Sequence, residues 1–91
     1  MVGNIELARF DGLTKLPQPA ATAWSAMDGI MGAGYKPLIY LGEQVVKGVN
    51  YWFIAEQTLT THPPIRRVVK LAINGFDGRY EFVKDSIEVI A

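Results

Sequence analysis

Gln44-Val45-Val46-Lys47-Gly48, running on as Val49-Asn50-Tyr51-Trp52-Phe53-Ile54, decides how this chain is read. Upstream, Leu38, Ile39, Tyr40 and Leu41 make an apolar run that reads as a strand over residues 36–45. Downstream, residues 49–60 are rich in aromatics and threonine, which suit a pleated, half-buried surface. Gly48 lets the backbone turn where a side chain would obstruct it, so Gln44–Gly48 is predicted to be the tip of a β-hairpin. Along the second strand, Tyr51, Phe53 and Ala55 fall on one face and Trp52 and Ile54 on the other.

The rest of the chain arranges itself around that hairpin. In residues 65–73, Arg67, Val69, Leu71 and Ile73 alternate onto one face; residues 79–90 hold Tyr80, Phe82, Val83, Ile87, Val89 and Ile90. His62-Pro63-Pro64 is a loop, since two prolines cannot donate to a ladder. Asn74-Gly75 and Asp77-Gly78 flank Phe76 in what reads as a short hairpin loop. Short connections make successive strands antiparallel neighbours. Residues 4–10 alternate weakly, enough for a short edge strand.

The one helix is predicted over residues 19–32, with Pro19 in its first turn. Ala20, Trp24, Met27 and Met31 recur at helical spacing, with Ala23 and Ile30 alongside, so one stripe is apolar. Gly29 weakens it by up to about 1 kcal/mol, and Gly32 and Gly34 are stop signals. The expected fold is therefore α+β, one helix packed across a four- to five-stranded antiparallel sheet, in a single domain of residues 1–91. The helix covers only one sheet face. Trp52 and Ile54, on the other, are candidates for an interaction face or a dimer contact.

Composition removes several classes of function. The chain has no cysteine, so disulfides, thiolate metal sites and cysteine nucleophiles are out. Nine basic and nine acidic residues give zero net charge, and Arg66-Arg67 is the only tight basic pair, far from the basic stripe that nucleic acid demands. No apolar run approaches the roughly 20 residues that span a bilayer, so no membrane partner is expected. The N-terminus carries Glu6 and Asp11 and shows no secretion signal; a cytoplasmic location is the expectation, and a secreted one stays open. His62 is the only histidine and sits beside two prolines, a plain loop position. Scattered acidic residues and the absence of a nucleophile elbow leave no catalytic residue, metal or cofactor to nominate. The chain is expected not to be an enzyme.

The Q-x-V-x-G pattern at a hairpin tip resembles the first inhibitory hairpin of the cystatins. From Gly34 to about Phe53, the order of helix end, Tyr35-Lys36-Pro37, strand, Gln44–Gly48 and Asn50-Tyr51 is similar to the single-domain, disulfide-free stefins. The resemblance covers residues 20–58 and implies a reversible, tight-binding inhibitor of papain-like cysteine proteases that acts as a wedge. Gln44, Val45, Val46, Lys47 and Gly48 would form its centre. Val2-Gly3 would play the N-terminal trunk, and Phe76 would serve in the second hairpin, where secreted members often carry Pro-Trp. Such a tip must be slim, nearly uncharged and rigid beforehand. Stiff, β-branched Val45 and Val46 fit that demand, and Gln44 is expected to bond locally and hold the turn. The alternative is a non-inhibitory interaction or self-associating module on the same fold. The resemblance also implies that the chain is a monomer or a domain-swapped dimer; in the latter Gln44–Gly48 would open into extended strand.

Overall fold

A computed structural model describes residues 6–7, 16 and 18–91 of the chain. The order of elements is β1 (Glu6–Leu7), α1 (Ala20–Trp24), a 3₁₀ turn (Ser25–Met27), β2 (Ala33–Val46), β3 (Gly48–Leu59), β4 (Ile65–Phe76) and β5 (Arg79–Val89). The fold is α+β: one short helix and an antiparallel sheet whose spatial order, β1-β2-β3-β4-β5, follows the chain. Among the described residues no helix is long and apolar enough to cross a membrane.

Period-two alternation is visible along the central strands. On β3, Tyr51, Phe53, Ala55 and Gln57 are buried while Trp52, Ile54 and Glu56 are half-buried. Across the β3–β4 register, Tyr51 faces Ile73, Phe53 faces Leu71 and Ala55 faces Val69, so these pairs line one side of the sheet. Phe53, Leu71, Ile73 and Val69 are the largest fully buried side chains. The helix lays Ala20, Ala23 and Met27 on this face, and Trp24 sets its ring edge-on to Phe53 with centroids 4.9 Å apart. Alanine at two of the helix contacts brings its backbone close to the sheet.

The helix is much shorter than residues 19–32. Ser25 Oγ donates to the Thr22 carbonyl at 2.6 Å, and the Asp28 amide donates to the Ser25 carbonyl at 3.1 Å, which tightens the last turn to 3₁₀. Asp28 is then extended, and Gly29 and Gly32 take φ of +79° and +83°, conformations that no helix can carry. Met31, expected on the apolar stripe, is 93% exposed. Ile30 still packs at the margin of the core.

One polar chain enters the buried face. Gln57 is 4% exposed, and its Nε2 donates to the Tyr35 hydroxyl at 2.8 Å. Its Oε1 accepts from Arg67 Nε at 3.0 Å and Nη2 at 2.6 Å, so both ends of the amide are satisfied. At the last strand the ladder breaks: Lys70 pairs with Glu88 but Ala72 with Val83, so β5 carries extra residues between Val83 and Glu88. Ser86 fills the gap, its Oγ accepting from the Ala72 amide at 2.8 Å and donating to the Val83 carbonyl. Ile87, in the same insertion, packs against the core.

Candidate functional site: two hairpin tips at one end of the sheet

The first hairpin turns tightly. Val45 pairs with Val49 and Val46 with Gly48, leaving Lys47 at the apex. Gly48 sits at φ +85°, and a Cβ built on it would collide with the Gly75 carbonyl oxygen and come within 3.0 Å of Phe76 Cβ. Glycine is therefore needed here twice, for its backbone conformation and for the close approach of the second hairpin.

The second hairpin departs from its expected form. Asn74, Gly75 and Phe76 belong to β4, and the turn is only Asp77-Gly78, both at positive φ (+53° and +76°). That is the type I′ geometry of a two-residue hairpin loop. Asn74-Gly75 is strand, Gly75 pairing with Val49 and Tyr80, and glycine is needed there because Tyr80 and Tyr51 occupy the space where a Cβ would meet their rings at 2.9 and 3.1 Å.

The two tips end level with one another. Val49 pairs with Gly75, Val46 with Gly48 and Phe76 with Arg79, so both turns project just beyond one cross-sheet row. Adjacent strands lie about 4.8 Å apart, which puts the hairpin midlines about 10 Å apart. Asn74 Nδ2 donates to the Lys47 carbonyl at 3.2 Å and to Asn50 Oδ1 at 2.9 Å, joining one hairpin to the other. Lys47 Nζ lies 5.7 Å from the centroid of the Phe76 ring.

Among the nominated wedge residues, Val45 is 67% exposed and Phe76 51%, two apolar side chains in water at the same end of the molecule. Lys47 is exposed; Val46 and Gly48 are half-buried. Gln44 is half-buried, and its Oε1 accepts a hydrogen bond from Trp52 Nε1 at 3.0 Å. Its side chain thus reaches across to β3 on the sheet face away from the helix. Gly3 lies outside the described residues. The structure brings Lys47 and Gly48 against Phe76; Gln44 turns to Trp52, and Val45 lies on the opposite face of the sheet from Phe76.

Trp52 and Ile54 do lie on the face without the helix, but both are half-buried. Lys70 Nζ stands 4.8 Å from the Trp52 ring centroid, and Ile39, opposite Ile54, is the more exposed neighbour at 41%. The sequence placed Asn50 after the first hairpin and Asn74 in the second loop and nominated neither as a site residue. The signal was there in principle: antiparallel pairing of β3 and β4 sets Asn50 directly opposite Asn74.

At the root of the first hairpin, burial holds the Tyr40 hydroxyl well above its ordinary pKa, with Glu43 adding to the shift; Tyr51 is raised for the same reasons. No group of three or more histidine, cysteine or acidic residues placed to hold a metal occurs among the described residues. What the tips offer chemically is two exposed apolar side chains, the exposed charges of Lys47, Asp77 and Arg79, and two tight turns. The chain matches no protein-family model, no curated protein and no solved structure.

Proposed function

We propose that this protein is a cystatin-like, reversible inhibitor of papain-like cysteine proteases, with the paired hairpin tips as its wedge. The observation that carries this reading is the level alignment of the two tips, which puts the exposed Val45 and Phe76 at one end of the sheet, Val45 on the helix face and Phe76 on the other. A narrow apolar cleft accepts such an edge with little loss of conformational freedom, because both turns are held by ladder bonds and glycine conformations before contact. The edge needs no catalytic group. The Gln44–Gly48 motif supports the same reading through its resemblance to the inhibitory hairpin of the stefins.

The test is a titration of active papain with protein that has been sized by gel filtration. Stoichiometric loss of activity with the monomer is expected. Val45→Asp puts a charge on the exposed tip and is expected to weaken inhibition by about a hundredfold or more while leaving the fold intact, since Val45 contributes little to the core. No inhibition by the parent protein at about 10 μM, far above the nanomolar range of tight complexes, would sink the reading. Substitution at Gly48 is a poor test, because any side chain there strikes the second hairpin.

Self-association through the Trp52 and Ile54 face is the second reading, favoured by the exposure of Ile39 beside them. Gel filtration decides it: a dimer that Trp52→Lys disperses supports this face, and a monomer at about 100 μM removes it.

A further inference from the structure

The ladder between the two hairpins stops at Val49 and Gly75, two residues short of the apex at Lys47. Beyond that point the tips are joined by three other contacts. Asn74 Nδ2 donates to the Lys47 carbonyl and to Asn50 Oδ1. Gly48 packs directly on the Gly75 and Phe76 backbone region. The Lys47 ammonium stands over the Phe76 ring. Only the first of these is directional. A side-chain amide carries two N–H groups, and here one goes to the turn and the other to the strand that leads out of it. The orientation is forced by chemistry: the Lys47 carbonyl can only accept, so Asn74 must present nitrogen to it.

We infer that Asn74 is a positioning residue that fastens the two hairpin tips into one binding edge before any partner arrives. This inference rests on the wedge reading above for what the edge binds. Asn74 itself touches no partner in this account. It acts through Lys47, by holding the apex of the first hairpin against the second, so that Val45 and Phe76 keep a fixed separation. Without it the tips are tied only by non-directional packing, and each can rock about its own strand pair. A partner would then have to order them, and that ordering costs affinity.

The experiment uses the full chain as parent, Asn74→Ala, Asn74→Asp and Asn50→Ala. Asn74→Asp keeps the shape and removes both donors. Asn50→Ala removes one acceptor and leaves the bond to Lys47. In the free proteins, NMR would record nuclear Overhauser contacts between Lys47 and Phe76 and backbone order parameters at residues 46–48 and 76–78. Both Asn74 variants are expected to keep the Phe53–Leu71 core contacts and lose the Lys47–Phe76 contacts, with order parameters at the tip falling below about 0.6. Their affinity for papain is expected to drop by about tenfold or more, with Asn50→Ala close to the parent. Unchanged tip contacts and order parameters in Asn74→Ala would overturn the inference, as would loosened tips that bind papain as tightly as the parent. If the parent itself leaves papain untouched, the wedge reading fails, and the NMR comparison alone still decides whether Asn74 fastens the tips.

Discussion

Trp52 Nε1 donates a hydrogen bond to Gln44 Oε1 at 3.0 Å, diagonally across the β2–β3 pair. The glutamine of the hairpin motif is thus spent inside the molecule, on the sheet face away from the helix. Lys70 closes over the same indole at 4.8 Å. This bond ties the hairpin to the open face.

Trp52→Phe removes the donor and keeps most of the ring. The expected loss is about 0.5–1.5 kcal/mol, read as a lower urea midpoint at unchanged slope. A changed slope would mean that the indole organises more of the sheet than this one bond.

Gly48→Ala is expected to cost about 2–4 kcal/mol, combining the strain of a left-handed β-carbon with a clash against the second hairpin. Gly78→Ala, also at positive φ but with open space around it, is expected to cost only the strain. Thermal unfolding of the two variants side by side separates the effects.

Alkaline pH should unfold the protein sooner than its ordinary tyrosines would suggest. Tyrosine is an acid, so a raised native value means that the fold retains a proton which the unfolded chain has already released. The stabilisation is complete below the ordinary value of 10.0 and is lost as pH climbs from there through the native value. Each such tyrosine steepens the decline by about 1.4 kcal/mol per pH unit. Urea midpoints at about pH 9 and about pH 11 should show the fall, and Tyr40→Phe, which keeps the ring against Phe53, should shrink it.

Arg67→Ala leaves the buried Gln57 carbonyl oxygen without its two guanidinium donors and is expected to cost about 1–3 kcal/mol. Adding Gln57→Leu to that variant should recover part of the loss, because it removes the stranded amide oxygen, and only part, because the half-buried Tyr35 hydroxyl loses its Gln57 donor. A double variant no more stable than Arg67→Ala would argue that the arginine matters for packing and not for the bond.

The strands and their faces were legible in the sequence because burial on one side of a sheet writes itself as alternation. Arg67, Val69, Leu71 and Ile73 do share a side, and Trp52 and Ile54 do lie opposite Phe53. The helix was overread for an equally physical reason. Apolar spacing through Met31 looked helical, while local bonding by Ser25 and the positive φ of Gly29 end the helix first. At the site, the tip of the first hairpin was visible as a motif, and so was the exposed Phe76. The Asn74 bridge was not, because Asn-Gly announces a turn, and only with the turn fixed at Asp77-Gly78 does the register set Asn74 opposite Asn50.

The interruption in β5 has a consequence for sheet growth. β5 is the outermost strand on its side, so its far edge presents backbone groups of the kind that template a further strand. The insertion stapled by Ser86 cuts that edge into two short stretches of different register, with charged Lys84 and Asp85 exposed between them. An incoming strand can follow Arg79–Val83 or the stretch from Glu88 onward, but not both in one alignment. The molecule is in this way kept from stacking, strand on strand, into a continuous sheet.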